Sequence, residues 1–483
     1  MRRVTLNIRK LVLTSVILSL LVPMSVTAAV PYEGYVWNNL GQDVRSVNGY
    51  IYEDSIDGLD MSSGGFKNPE SIFIAADDTV YLVDTGNNRI VHMDEHHQLI
   101  NVFGTEGTGK LSGPKGVYVK EDGTVYVADT KNNRIVMFDS KGQFLQEFGT
   151  PTSALLGKDF SYSPSKLIVD KRDYMFVVSD GNTKGLMQID PNGQFKGFYG
   201  ANHIGFSWAR LFTKLIASKE QKAQISTVNP LEFSSVDQDE EGFIYSTTLG
   251  AEFNQIKKLS PVGVDTLNAG VERKYGERFA NGPFSVHSFV SISVSDSGII
   301  SALDLQTSKV FQYDILGNLL FIFGGVGEQN GLFVTPSGIA QTSDGMLYVV
   351  DKGRGRIDRF RTTPFADLVH QASNYYVDGQ YEESAIIWHE VLKFSANYDL
   401  AYQAIGKSLY KEERYGEAME YFQLARNKFD YSASFREYRK EYIREHFTWI
   451  FRGLILLVIL VRVSIPRIAR RIKGQIIEEG NPH

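Results

Sequence analysis

Three aspartates in this 483-residue chain are each followed five positions later by an arginine: Asp84 and Arg89, Asp129 and Arg134, Asp351 and Arg356. A carboxylate beside a guanidinium can line a charged channel, help hold a metal, or fix a loop by charge-assisted hydrogen bonds. Recurrence decides among these. A catalytic or metal-holding group usually stands once in a chain, whereas these pairs return, with Asp84 and Asp129 45 positions apart. The expected role is structural: Asp stabilises a turn through its own backbone, and Arg bonds neighbouring carbonyls or carboxylates. Weaker copies keep Asp180 and Asp304, with Gly185 and Lys309 where the Arg is expected.

The histidines do not form a ligand pattern. His92, His96 and His97 fall in one repeat, and His370, His389 and His446 fall in a helical region. Only His203 and His287 stand where they could approach a channel mouth. No glycine-rich phosphate loop, zinc-binding histidine motif or serine nucleophile elbow is present. The net charge of −6 argues against nucleic acid as a partner.

The elements that carry the Asp/Arg pairs repeat with them. Residues 80–94 read VYLVDTGNNRIVHMD, residues 125–139 read VYVADTKNNRIVMFD, and residues 347–360 read LYVVDKGRGRIDRF. Short alternating strands at this period, joined by Gly-containing turns, point to a β-propeller with one blade per repeat. The wording resembles the NHL repeat across about residues 65–361. Six repeats can be counted, so the expected fold is mainly β, a six-bladed NHL-type propeller over residues 65–363. One insertion, residues 201–230, carries Trp208, Leu211, Phe212, Leu215 and Ile216 on one helical face.

The sixth repeat supplies three strands and then stops at Pro364. Residues 48–53 alternate correctly for the missing strand, so this N-terminal segment is predicted to pair with residues 355–361 and close the ring. Otherwise a blade would keep an unpaired edge.

Residues 364–446 change to helical spacing. Ala372, Tyr381 and Trp388 recur 34 positions on as Gly406, Tyr415 and Phe422. The period resembles the tetratricopeptide repeat, which implies paired helices. Two readings follow: a peptide-binding groove, or a rigid spacer that lifts the propeller from a membrane.

Both ends carry apolar segments. Arg2, Arg3, Arg9 and Lys10 precede an apolar run over residues 11–24, with small residues for cleavage near Ala28. Residues 1–29 therefore read as a signal peptide, and residues 30–64 as an N-terminal segment holding the closing strand. The chain has no Cys, so export here uses no disulfides, which fits a Gram-positive-like exterior. Residues 447–466 read as a transmembrane helix with Trp449 at its outer interface and Arg452 and Arg462 snorkelling to opposite surfaces. Arg467, Arg470 and Arg471 open a basic tail over residues 467–483, which places the C-terminus in the cytoplasm and the propeller outside the cell.

The layout is similar to that of bacterial cell-surface proteins associated with nutrient transport. It implies a membrane-anchored binding or scaffold protein that recognises a protein, carbohydrate or peptide ligand through its ring face, in contact with lipid, without nucleic acid, cofactor or catalysis. The alternative is a metal-dependent hydrolase or lyase of the lactonase-like propeller type, with a divalent cation in the channel.

Overall fold

The computed structural model describes residues 30–157, 160–201, 231–277 and 287–479, with side chains placed as far as residue 469. The signal segment, the insertion from residue 202 onward and His203 lie outside the described residues, as do the Arg470 and Arg471 side chains.

Six antiparallel sheets follow one another round a ring. The first blade is β4 (Ser71–Ile74), β5 (Val80–Asp84), β6 (Arg89–Met93) and β7 (Leu99–Phe103). The second is β8 (Gly116–Val119), β9 (Val125–Asp129), β10 (Arg134–Phe138) and β11 (Phe144–Phe148). The third is β12 (Pro164–Val169), β13 (Met175–Ser179), β14 (Leu186–Ile189) and β15 (Phe195–Tyr199). The fourth has three strands among the described residues: β16 (Phe233–Gln238), β17 (Ile244–Thr248) and β18 (Ile256–Leu259). The fifth is β19 (Phe289–Val294), β20 (Ile300–Asp304), β21 (Lys309–Tyr313) and β22 (Leu319–Gly324).

The sixth blade is built from both ends of the propeller. β23 (Pro336–Gln341), β24 (Leu347–Asp351) and β25 (Arg356–Thr362) are completed by β3 (Tyr50–Ile56), which runs antiparallel to β25 with Tyr50 opposite Thr362 and Ile56 opposite Ile357. The pairing segment starts two residues later and reaches further than its alternation suggests. Gly49 sets its start. A Cβ there would sit 2.4 Å from the Phe321 ring, so only glycine fits between β3 and blade five. The innermost strands β4, β8, β12, β16, β19 and β23 pack in turn about one axis, and β23 returns to β4. No blade could bury its two apolar faces alone, and the ring buries all of them.

The second strand of every blade is buried at all five positions, from β5 and β9 through β24. Both of its faces meet neighbouring blades, so it is buried throughout rather than alternating between buried and exposed positions. A small hairpin, β1 (Tyr35–Trp37) with β2 (Asp43–Arg45), precedes the closing strand.

Six helices follow: α1 (Pro364–Val377), α2 (Tyr381–Phe394), α3 (Asp399–Lys411), α4 (Tyr415–Leu424), α5 (Lys428–Glu445) and α6 (Phe447–Glu479). Thr363 follows β25 directly and caps α1. Its hydroxyl accepts from the Ala366 N–H at 3.3 Å, and Pro364 opens the helix where its missing N–H costs nothing. Gly406 lets α3 approach α4, since a Cβ would lie 2.7 Å from the Phe422 ring.

The helices share one core with blades five and six. The Phe365 ring meets Phe321 edge-on at 5.8 Å. The Tyr398 hydroxyl, fully buried, donates to the Leu320 carbonyl at 2.8 Å. His370 Nε2 meets Gln312 Oε1 at 2.6 Å, and the Gln312 amide donates to the Tyr50 hydroxyl at 2.9 Å. With no linker between Thr362 and Pro364 other than the capping residue, this packing joins propeller and helices firmly.

Within α6, the 23 residues Phe447–Ala469 are long and apolar enough to cross a membrane, with mean hydropathy 2.0 over an 18-residue window. The helix does not stop at Pro466 but continues to Glu479. Trp449, Arg452, Arg462 and Arg467 are all exposed along it, and the Arg452 guanidinium lies 5.3 Å from the centre of the Trp449 ring.

Candidate functional site

Four of the five repeated aspartates occupy one slot, the last residue of a blade's second strand. Asp84, Asp129, Asp304 and Asp351 are fully buried there. One carboxylate oxygen accepts a backbone N–H from the segment leading into the innermost strand: Lys67 for Asp84, Ser112 for Asp129 and Ser288 for Asp304, each at 2.7 Å, and Thr335 for Asp351 at 3.0 Å. The other oxygen holds the turn. Arg89 Nε donates to Asp84 at 2.7 Å, and Arg134 Nε donates to Asp129 at 2.8 Å. Arg89 then reaches the Ser63 carbonyl at 2.6 Å, and Arg134 the Lys110 carbonyl at 2.7 Å. The slot staples a loop to its blade, which is fold chemistry.

Four blades vary it, and blade four ends its second strand at Thr248. In the third, Ser179 takes the slot and accepts from the Ser163 N–H at 2.9 Å, whereas Asp180 is one residue further on, exposed, and pairs with Lys115 of the second blade at 2.7 Å. In the fifth, Asp304 holds His287 Nδ1 at 3.0 Å and the Thr307 hydroxyl at 2.6 Å, while Lys309 turns to Glu277 and the Tyr35 hydroxyl. Burial pushes the Asp304 carboxyl up, but the His287 and Thr307 hydrogen bonds outweigh it and hold it below the usual carboxylate range. In the sixth, Arg356 lies opposite Asp351 in register, yet Arg354 Nε makes the ion pair at 2.6 Å, and Arg356 turns to Asp358 at 2.8 Å.

The group that faces the ring axis was not singled out in the sequence. Lys166, on the innermost strand of blade three, keeps part of its surface open. Its ammonium donates to the Glu70 carbonyl at 3.1 Å and makes no ion pair among the described residues. Around it stand two pairs from other blades: Lys352 with the Glu70 carboxylate at 2.6 Å, and Lys115 with Asp180 at 2.7 Å. Three ammonium groups and two carboxylates from blades one, two, three and six thus meet at this mouth, leaving one positive charge without a carboxylate. Burial pushes the Lys166 ammonium down to about 8, against the pull of Glu70.

Nearer the other end of the channel, Asp237 accepts from the Val294 N–H at 2.7 Å and forms no ion pair among the described residues. Burial pushes its carboxyl up to about 7, against the hydrogen bonds from Val294 and Gln238. The Gln238 amide crosses to the Tyr118 hydroxyl at 2.5 Å and the Val169 carbonyl at 3.0 Å. Among the described residues, no group of three or more His, Asp or Glu side chains stands close enough to hold a metal ion. His287 is fully buried against Asp304, and His92 is stacked on Tyr81 with ring centres 3.9 Å apart.

Ring, slot and closure together define a six-bladed β-propeller. The NHL repeat family model matches residues 111–138, the span that contains β8, β9 and β10. The chain is similar in structure to a streptogramin B lyase, at 11% identity and TM-score 0.40, covering 68% of this chain and 86% of that one. It is similar to virginiamycin B lyase from Staphylococcus aureus at 12% identity and TM-score 0.41, covering 68% and 94%. It is similar also to a Bacteroides thetaiotaomicron protein of unknown function at 12% identity and TM-score 0.44, covering 67% and 80%. Comparison with curated proteins gives no match.

Proposed function

We propose that this chain is a membrane-anchored recognition protein whose propeller mouth binds a ligand through a compact anionic group. The observation that supports it most is Lys166: an ammonium set on the innermost strand, partly open to the channel, with a single neutral acceptor and no carboxylate of its own. Charges placed this way are retained when a ligand completes them. Lys115 and Lys352, already balanced by Asp180 and Glu70, set the outline of the site.

In this reading the propeller stands outside the cell. The helical module holds it at a fixed height above the bilayer, and α6 is the anchor. The ligand is an acidic peptide, protein or carbohydrate, and the role is accessory to nutrient capture. The test is equilibrium binding of acidic and uncharged forms of the same peptide and oligosaccharide to the full chain in lipid nanodiscs. An acidic form is expected to bind, and Lys166→Gln to weaken it about 10- to 100-fold, the scale of one charge-assisted hydrogen bond. Equal binding of charged and uncharged forms, or no effect of Lys166→Gln, would refute it.

A further inference from the structure

The last two turns of α5, residues 439–446, stand clear of the helical core. Tyr438 lies against Gly416, one residue into α4, where an added Cβ would be 3.5 Å from its ring. The residues after it run past the end of α4, and none of residues 439–446 is buried. They lead directly into the apolar rod. His446 is the single non-helical residue between α5 and α6, and helical bonding carries on across it. Its N–H donates to the Tyr442 carbonyl, and the Ile450 N–H donates to the His446 carbonyl, each at 3.0 Å.

We infer that this stalk is itself a membrane-binding element, seated among anionic lipid headgroups in the leaflet next to the helical module, with Tyr442 and Ile443 packed between lipids and Arg439, Lys440 and Arg444 on their phosphates. The inference rests on the reading of α6 as the anchor.

Three observations carry it. The first is depth. With the hydrocarbon layer beginning at Phe447, a rise of about 1.5 Å per residue puts Arg444 about 5 Å and Tyr442 about 8 Å above it, within the roughly 5–8 Å of headgroups on each side of a bilayer. Arg439 and Lys440 stand at the outer edge of that layer. The second is residue type. Tyr442 and Ile443 are exposed, and Tyr442 stacks on His446 with ring centres 4.2 Å apart. Tyrosine suits a boundary that is apolar on one side and wet on the other.

The third is how the charges sort. Lys440 pairs with Glu437 at 2.9 Å, and Arg444 with Glu441 at 3.7 Å. In both pairs the cation is the open partner: the Lys440 and Arg444 side chains are 64% and 79% exposed, those of Glu437 and Glu441 23% and 37%. Arg439 is exposed as well, beside the Phe435 ring at 6.0 Å. Against these three open cations the stalk shows one open carboxylate, Glu445. Exposed ion pairs hold weakly, so each cation can exchange its carboxylate for a phosphate. A cationic surface favours anionic lipid and disfavours a second copy, which would bring the same cations against it. Continuity with α6 favours lipid over an acidic protein, because the anchor already brings the stalk to the bilayer.

The chain has no Cys, so single spin labels can be placed in the full chain in phosphatidylglycerol–phosphatidylcholine nanodiscs. Labels at Tyr442→Cys and Ile443→Cys are expected to lose most of the accessibility to a water-soluble nickel relaxer that Lys141→Cys shows, and to gain accessibility to oxygen. Phosphatidylglycerol retained by the chain through detergent purification from the same mixture is expected to fall at least about fivefold when Arg439→Gln, Lys440→Gln and Arg444→Gln are combined. A label at Leu457→Cys separates the two readings: if it is open to water, the anchor fails and this inference with it. With Leu457→Cys in lipid, labels at Tyr442 and Ile443 as open to the nickel relaxer as Lys141→Cys overturn the inference alone. So do spin–spin broadening or shielding from both relaxers, which would mark a protein partner, and lipid retention unchanged by the three glutamines.

Discussion

Ser179 and Asp180 show how a single residue carries the blade chemistry. The slot needs a buried acceptor for the N–H that leads into the inner strand, and Ser179 supplies one where four other blades use Asp. Ser179→Ala should therefore cost about 1–3 kcal/mol, because it strands a buried donor, while Asp180→Ala should cost less than about 1 kcal/mol, because it removes only an exposed pair. Chemical unfolding of both variants checks the contrast. In the second blade, Asp129→Ala should cost roughly 3–5 kcal/mol, since it strands the Ser112 N–H and leaves the mostly buried Arg134 with only the half-exposed Glu147 carboxylate. The slot was readable where Asp and Arg recur together. It was misread in blade three because the more conspicuous Asp180 stands one position late. In blade six, Arg354 replaces the asparagine found at Asn87 and Asn132, and from there it reaches Asp351 before Arg356 can. Lys166 carried no sequence signal at all, since a lone lysine in a strand acquires meaning only from the other blades. Asp237 is the acidic counterpart: below about pH 7 it carries a proton. A protonated-carboxyl infrared band, assigned by its loss in Asp237→Asn, should persist up to about that pH.

At the scale of elements, the strands were legible as apolar runs between Gly-containing turns, and the helices as a 34-residue period. Alternation misdescribes the second strands, because neighbouring blades cover both of their faces. The closing strand was legible from the edge that would otherwise remain. Its true start depends on Gly49 lying against Phe321, a contact between residues too far apart in sequence to be read there. A chain lacking residues 30–56 is expected to lose cooperative unfolding and to aggregate through the bare edge of β25, as light scattering would show. Gly406→Val should destabilise by about 1–3 kcal/mol, because Phe422, itself buried, has nowhere to move.

The whole molecule is a ring, a helical block and a single apolar rod. What the sequence did not disclose is how the first two meet: Gln312 and His370 are 58 positions apart, and Tyr398 bonds a carbonyl of blade five. That packing places the hairpin of blade five across a cleft that the helices alone would leave open, which favours a fixed support over a free peptide groove. Phe365→Ala should cost about 3–5 kcal/mol and separate the unfolding of helices from that of blades, seen as two calorimetric transitions instead of one. Orientation can be read directly, since the chain has no Cys of its own. With the propeller outside, an impermeant maleimide on intact cells should label Lys141→Cys and not Gln475→Cys.

The ring mouth is tested most directly by the pH dependence of anionic-ligand binding. With Lys166 held at about 8, affinity should be constant near neutrality and fall as pH rises through that value, because the ammonium loses its charge there. Lys166→Gln should bind weakly with a flat profile. A wild-type profile that stays level from pH 7 to well above 8, or one that keeps its shape in Lys166→Gln, would contradict recognition through this lysine.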